Sequence, residues 1–330
     1  MTDKQQYYRV DEMEILKKGS FKPQVNNLQE ALKSGGYFDG SIDGIFGNST
    51  EVAVKNFQSQ SGLPADGVVG SVTWAKLFPP EPLSGDLASR CLALTGTFET
   101  GKLAPECFAA IAGNFDGQGM SYGALQWNFG QGTLQPLLNE MIDKHPKIVA
   151  DIFGGDLALL QQAIKGGKQA ALRFASSIQN TEKHYVLPHW KERFRKLGLT
   201  PEFQAIEVNG ASKYYNNAKK LVTTYNLWSS RALALMFDIC VQNGSIADAV
   251  KSKIMADFSK LSTTLSREET EVQKMVIIAN RRAEAANPKF VEDVRKRKLC
   301  IANGKGVVHG ISYDLAAQFG LDLSAVSQAS

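Results

Sequence analysis

Two stretches decide how this chain is read: Thr97-Phe98-Glu99-Thr100-Gly101, and beyond it Gly113-Asn114-Phe115-Asp116-Gly117-Gln118-Gly119-Met120-Ser121-Tyr122-Gly123. Before the first, Leu87, Cys91, Leu94 and Phe98 recur at helical spacing, so Glu99 is placed at the end of an amphipathic helix. The second holds four glycines in eleven residues, which force turns or a short hairpin. Helical spacing resumes further on, with Leu160 and Ala163, then Ala171 and Phe174. Strand signals are few. The region from about Leu87 to the end is therefore expected to be mainly α, broken by one Gly-rich loop of the kind where function concentrates.

Outward from this core, the whole chain has 330 residues, 43% hydrophobic and 9% aromatic, ample for two or three packed domains. The longest apolar runs, such as Ala232 to Phe237, stop at a polar residue, here Asp238, well short of the roughly 20 that a membrane span needs. Residues 1–20 mix acidic and basic side chains with no apolar core region, so no secretory signal is expected and the chain is read as beginning in a cytoplasm. Cys91, Cys107, Cys240 and Cys300 lie far apart with no C-x-x-C pair and are read as core thiols. The four histidines lack a chelating pattern, so neither metal nor cofactor is expected. Net charge is +4, and seven basic residues face three acidic ones between Arg281 and Lys298. Such a run suits a polyanionic partner but is first of all a solvated helix face.

Upstream, Pro79-Pro80-Glu81-Pro82-Leu83-Ser84-Gly85 is the best linker in the sequence. It divides a polar arm (1–20) and a first domain (21–79) from a second domain (87–330), with residues 80–86 between them. Within the first domain a pattern recurs: Asp43-Gly44-Ile45-Phe46-Gly47 with Thr50, then Asp66-Gly67-Val68-Val69-Gly70 with Thr73. Each Asp-Gly reads as a turn and each Thr as the cap of a following helix. Val25, Leu28 and Leu32 form one helix face; Val52, Val54 and Phe57 with Gln58 form the next.

These residues, with Gly62-Leu63 and Trp74-x-x-Leu77, resemble the three-helix peptidoglycan-binding domain of bacterial and phage cell-wall hydrolases. The resemblance implies a wall-binding module in which Asp43, Phe46, Thr50, Gln58 and Trp74 belong to the motif.

Cleaving a glycosidic bond commonly needs one carboxylic acid at the leaving oxygen and a second carboxylate across the ring. Glu99, beside Phe98 and Leu94, is the candidate acid, its apolar setting being one that keeps a proton available. Asp116, among turns and exposed amides, is the candidate base. Glu99 followed by Asp116-Gly117-x-Gly119-x-Ser121-x-Gly123 and Gly130-x-Gly132 resembles the catalytic segment of the family 46 chitosanases, within the lysozyme-like superfamily. A later block, from Thr200-Pro201-Glu202-Phe203 to Phe237-Asp238-x-x-Val241-Gln242-Asn243-Gly244, is similar to that family's later helices. The resemblance implies Glu99 as acid, Asp116 as base and Ser121 as a hydroxyl that helps hold the water. It also implies a two-lobed α-helical domain with a short β-hairpin or loop region at its active site.

Two departures reshape the expected substrate. Thr133 stands where the chitosanases usually place an acidic residue, which weakens the case for chitosan. Tyr122-Gly123-Ala124-Leu125-Gln126-Trp127-Asn128 comes closer to goose-type lysozymes and lytic transglycosylases. Gln126, Asn128 and Asn243 are candidates to bind substrate by hydrogen bonds, Trp127 and Tyr122 by stacking, though Trp127 also reads as core. The sequence as a whole resembles a modular phage-type endolysin: a wall-binding module tethered to an inverting, muramidase-like glycosidase. It would be held in the host cytoplasm until release, and would act as a monomer on peptidoglycan with no nucleic-acid partner and no membrane insertion. A lytic transglycosylase and a non-catalytic wall-binding protein are the alternatives.

Overall fold

A computed structural model describes residues 15–21, 23–77, 85–115, 117–180 and 182–326. Most of the expected arm, most of the linker and Asp116 lie outside the described residues. The chain divides into two compact units, with the division between residues 81 and 82.

The first unit has three helices, α1 (Pro23–Ser34), α2 (Asn48–Gln60) and α3 (Ser71–Leu77). Val25, Leu28, Leu32, Phe38, Phe46, Val54, Phe57, Val69 and Trp74 fill its core. The sequence repeat is a repeat of one polar clamp. Gln29 on α1 donates from Nε2 to Asp43 Oδ1 (2.8 Å), Ile45 O (3.1 Å) and Thr50 Oγ1 (3.2 Å). Its Oε1 accepts from the backbone N–H groups of Asp43 and Gly44. Gln58 on α2 does the same with Asp66 Oδ1 (2.8 Å), Val68 O (2.9 Å), Thr73 Oγ1 (3.1 Å) and the N–H of Gly67. A primary amide suits this task because it offers two donors and an accepting oxygen at one buried point. Gly44 and Gly67 have φ of +73° and +74°, which glycine adopts without a Cβ penalty.

Three expectations for this unit are corrected. Thr50 and Thr73 do not cap helices; they are buried clamp members inside α2 and α3, and Gly47, the N-cap of α2, offers no side chain to cap it. Val52 faces outward instead of joining Val54 and Phe57. The described end of the expected polar arm is structural: Leu16 is buried and pairs antiparallel with Val69, and Phe21 pairs with Ile45.

The second unit opens with α4 (Leu87–Thr100), capped by the Asp86 carboxylate on the Ser89 N–H and ended by Gly101 at φ +68°. A three-stranded antiparallel sheet follows: β1 (Ile111–Ala112), β2 (Ser121–Tyr122) and β3 (Trp127–Asn128), in the order β1-β2-β3. Next come α5 (Leu134–Lys144), α6 (Pro146–Phe153), α7 (Leu157–Lys165) and α8 (Gly167–Ser177). The hairpin of β4 (Gln179–Asn180) and β5 (Tyr185–Val186) leads to α9 (Pro188–Gly198) and α10 (Pro201–Gly210). The rest is α11 (Ser212–Thr224), α12 (Ser230–Asn243), α13 (Asp248–Phe258), α14 (Arg267–Glu284) and α15 (Val291–Asn303), then β6 (Lys305–Val308), β7 (Ile311–Asp314) and α16 (Leu315–Phe319).

Two hydrophobic cores organise this unit. One gathers β2, β3 and α5 to α10 around Tyr122, Phe129, Phe153, Phe194 and Phe203. The other gathers α4, α12, α14 and α15 around Leu94, Phe98, Leu235, Phe237 and Met275. Leu125 packs against both, so the turn between β2 and β3 lies where the cores meet. Helix α4 is half-buried over its first turn, buried on every side from Cys91 to Phe98, and exposed again in its last turn. That turn carries Glu99.

Candidate active site

Glu99 is held from below by a chain of buried charges. Its Oε1 lies 2.8 Å from Nη2 of Arg297 on α15, and the Glu99 side chain remains 30% exposed. The Arg297 guanidinium also engages Asp238 of α12 through Nε, at 2.9 and 3.1 Å, and through Nη2. Lys298 Nζ bonds the second oxygen of Asp238, and it donates to Gln242 Oε1 at 2.6 Å. Thr95, one helical turn before Glu99, donates its hydroxyl to Asp238 Oδ1 at 3.2 Å. Beneath the guanidinium lies the Phe98 ring, 5.0 Å from Arg297 Cζ.

Asp238, Arg297 and Lys298 are buried. Burial alone would raise the Asp238 carboxyl, but Arg297 and Lys298 carry it below the ordinary carboxylate value. Burial pulls the Lys298 ammonium down to about 8. Arg297 is opposed by burial, yet its two carboxylates hold it above its usual range. Of the four side chains, Glu99 is the one that reaches solvent. The expected apolar setting of Glu99 is therefore corrected: Phe98 is in the core, and the carboxylate meets a guanidinium.

The sheet completes the site. A Cβ on Gly96 would stand 2.7 Å from Ala124 Cβ, so α4 packs tightly on the turn between β2 and β3, one helical turn before Glu99. Ser121 sits half-buried on the central strand, paired with Ala112 and Asn128. From the opposite side Glu207 of α10 reaches the same turn. Its Oε2 accepts the Ala124 N–H at 2.9 Å, and Oε1 lies against Gly123, where a Cβ would come within 2.5 Å. Glu207 is fully buried with Oε1 unpartnered, and burial pushes its carboxyl well above the ordinary value.

Several expected binding residues are placed elsewhere. Tyr122 is fully buried and donates its hydroxyl to Phe194 O at 2.7 Å, so it cannot stack on a sugar. Trp127 is core by the same measure. Asn128 is buried and accepts from the Gln131 N–H at 2.8 Å, which fixes the turn after β3. Gln126 is half-buried with φ +54° and donates to Gly123 O at 2.9 Å. Asn243 ends α12, with its buried Oδ1 lacking a partner among the described residues. In the first unit Phe46, Thr50, Gln58 and Trp74 are buried, and Asp43 is exposed.

Sequence reading missed Asp238, Arg297, Lys298 and Glu207. Two of them stand in the basic run that was taken for a solvated face, and Arg297 and Lys298 turn inward from it. The available signal was Asp238 itself, an acidic residue directly after a six-residue apolar run on a helix.

Residues 22–77 match the family model described as "Putative peptidoglycan binding domain". Over that region the chain is similar to the spore cortex-lytic enzyme of Bacillus cereus, 40% identical over 60 residues, covering 18% of this chain and 23% of that protein. The spore cortex-lytic enzyme of Bacillus subtilis is 43% identical over 61 residues, covering 18% and 20%. The chain thus spans less than a quarter of the length of these curated relatives. Among solved structures, the SleB N-terminal domain is 38% identical, covering 20% of this chain and 90% of that one, with TM-score 0.20. The native chitosanase from Bacillus subtilis MY002 is 16% identical, covering 71% and 97%, with TM-score 0.42. A GH46 chitosanase of Gynuella sunshinyii in complex with chitotetraose is 12% identical, covering 70% and 98%, with TM-score 0.41.

Proposed function

We propose that this chain is a peptidoglycan hydrolase whose first unit binds the bacterial wall and whose second unit cleaves β-1,4 glycosidic bonds of the wall glycan. The observation that carries the reading is Glu99: a partly exposed carboxyl group at the end of a helix that is buried from Cys91 to Phe98, fixed by Arg297 and set beside the Gly-rich sheet. Such support holds a carboxyl in one rotamer, and a general acid must be held in one geometry to meet a leaving oxygen.

In this mechanism Glu99 donates its proton to the glycosidic oxygen as the bond breaks. Asp116, in the Gly-rich loop, takes a proton from water on the opposite ring face, with Ser121 as a second partner for that water. Attack from that face inverts the anomeric carbon. Arg297 is a positioning residue, and Asp238 with Lys298 fixes Arg297. The pairing of a wall-binding module with a separate glycosidase unit supports the further proposal of an endolysin, held inside the host until release and acting as a monomer on the polymer.

Mass spectrometry of purified sacculi digested by the full chain tests the reading, with hydrolysed reducing ends as the expected products. Anhydro-muramic ends would transfer the case to a lytic transglycosylase. Sacculi that are bound but release no fragments would make the chain a wall-binding protein without catalysis.

A further inference from the structure

The Gly-rich loop is locked to the β4–β5 hairpin by contacts that leave no room between them. A Cβ on Gly113 would fall 1.5 Å from the carbonyl oxygen of His184, so the two backbones touch. Gln179 Oε1 accepts the Asn114 N–H at 2.9 Å, and Asn114 Oδ1 in turn accepts the Gly119 N–H at 2.9 Å. His184 takes φ +53°, a conformation that costs a non-glycine residue energy and persists only where its surroundings fix it. The result brings the rings of Phe115 and His184 together, with the exposed Tyr185 next in the chain. Phe115 is 73% exposed, its ring 5.5 Å from that of His184, and Tyr185 beside it is 47% exposed.

Single exposed apolar residues are ordinary on a protein surface. Here the exposed phenyl ring immediately precedes the candidate base in sequence, and a second segment holds the His184 ring next to it by way of a strained backbone, with Tyr185 following in the chain. Aromatic faces of this kind suit the apolar C–H face of a pyranose, as they suit other flat ligands. We propose that Phe115 and Tyr185 form a sugar-stacking subsite that takes an N-acetylhexosamine ring of the glycan adjacent to the ring being cleaved. His184 is its positioning residue, spacing the two rings through its backbone. The proposal rests on the glycosidase reading for its place in the reaction, and on the locked loop for its geometry.

The test uses the full chain carrying Glu99→Gln, which binds without turnover, titrated calorimetrically with the β-1,4-linked hexamer of N-acetylglucosamine. Phe115→Ala and Tyr185→Ala should each weaken binding by roughly two- to twelvefold, the range expected for one aromatic stacking contact. Phe115→Trp should retain affinity and Phe115→Leu should not, because leucine supplies apolar area without a ring face. Any glycan bound by the first unit is common to all variants and cancels in the comparison. Equal affinity across the series, or no hexamer binding at all, overturns the subsite whatever the wild-type chain does to sacculi. Weakened binding in the alanine variants together with intact sacculi under the wild-type chain overturns the hydrolase reading and keeps the subsite.

Discussion

In the proposed mechanism Glu99 is the residue on which the chemistry turns. Glu99→Gln keeps an oxygen that can accept from Arg297 but has no proton for the leaving group, so wall lysis should fall by about 10²–10⁴ while the circular dichroism spectrum stays unchanged. Lysis near the wild-type rate would remove Glu99 from the mechanism. Glu207 makes a different prediction, of stability against pH. Its carboxyl is raised in the folded chain from an ordinary value of 4.5, so the folded state holds a proton that the unfolded state releases above that pH. Stability from this group is fully present below about pH 4.5 and declines as pH rises toward the folded value, by at most about 1.4 kcal/mol per pH unit. Glu207→Gln can still accept the Ala124 N–H and should flatten that decline, as read by urea unfolding from pH 4 to 8. A slope identical to wild type would mean that Glu207 does not hold the proton. The position of Glu99 at the end of a helix was legible in sequence because its helix pattern and the glycines after it are local. Its partners were not: Thr95 and Asp238 meet across 143 residues, and no short-range pattern marks a contact formed by packing three helices together.

At the scale of elements, the doubled glutamine clamp is what makes the first unit a repeat. The turns and apolar faces were readable, since Asp-Gly and helical periodicity are local signals. The clamp was not, because a glutamine within a helix gives no sign of which turn it will bond. Gln58→Ala would leave the buried Gly67 N–H and the Thr73 hydroxyl short of partners, a loss on the order of 1–3 kcal/mol for an orphaned buried group. Scanning calorimetry of the full chain should show one transition moved down by that change and the other unmoved. Two transitions shifting together would contradict the independence of the units. The same logic explains the misplaced aromatics. Tyr122 and Trp127 stand in the motif that suggested sugar contact, yet alternation along β2 and β3 turns both rings into the core.

At the scale of the whole molecule, the two units have separate cores, so each should fold alone. Residues 1–81 should sediment with purified sacculi. Residues 82–330 should cleave short soluble glycans at the full-chain rate and sacculi more slowly, because tethering raises local substrate concentration without touching the chemical step. Equal lysis of sacculi by the shortened chain at every dilution would end the targeting role. The mainly helical class was readable from composition and periodicity. The division of the second unit into two cores was not, because α4 precedes one core in sequence and packs into the other.

The four cysteines give that second core a built-in gauge. Cys91, Cys107, Cys240 and Cys300 are free and buried, and all four belong to the core that holds α4, α12 and α15. Burial raises the thiols, Cys240 to about 11 and Cys300 to about 12, so at neutral pH they are neither ionised nor accessible. An alkylating reagent should therefore report only openings of the half that supports Glu99, and stay blind to motion in the sheet-bearing half and in the first unit. Labelling rates with and without glycan would then weigh how far a bound glycan tightens the scaffold behind Glu99, a measurement that needs no introduced probe.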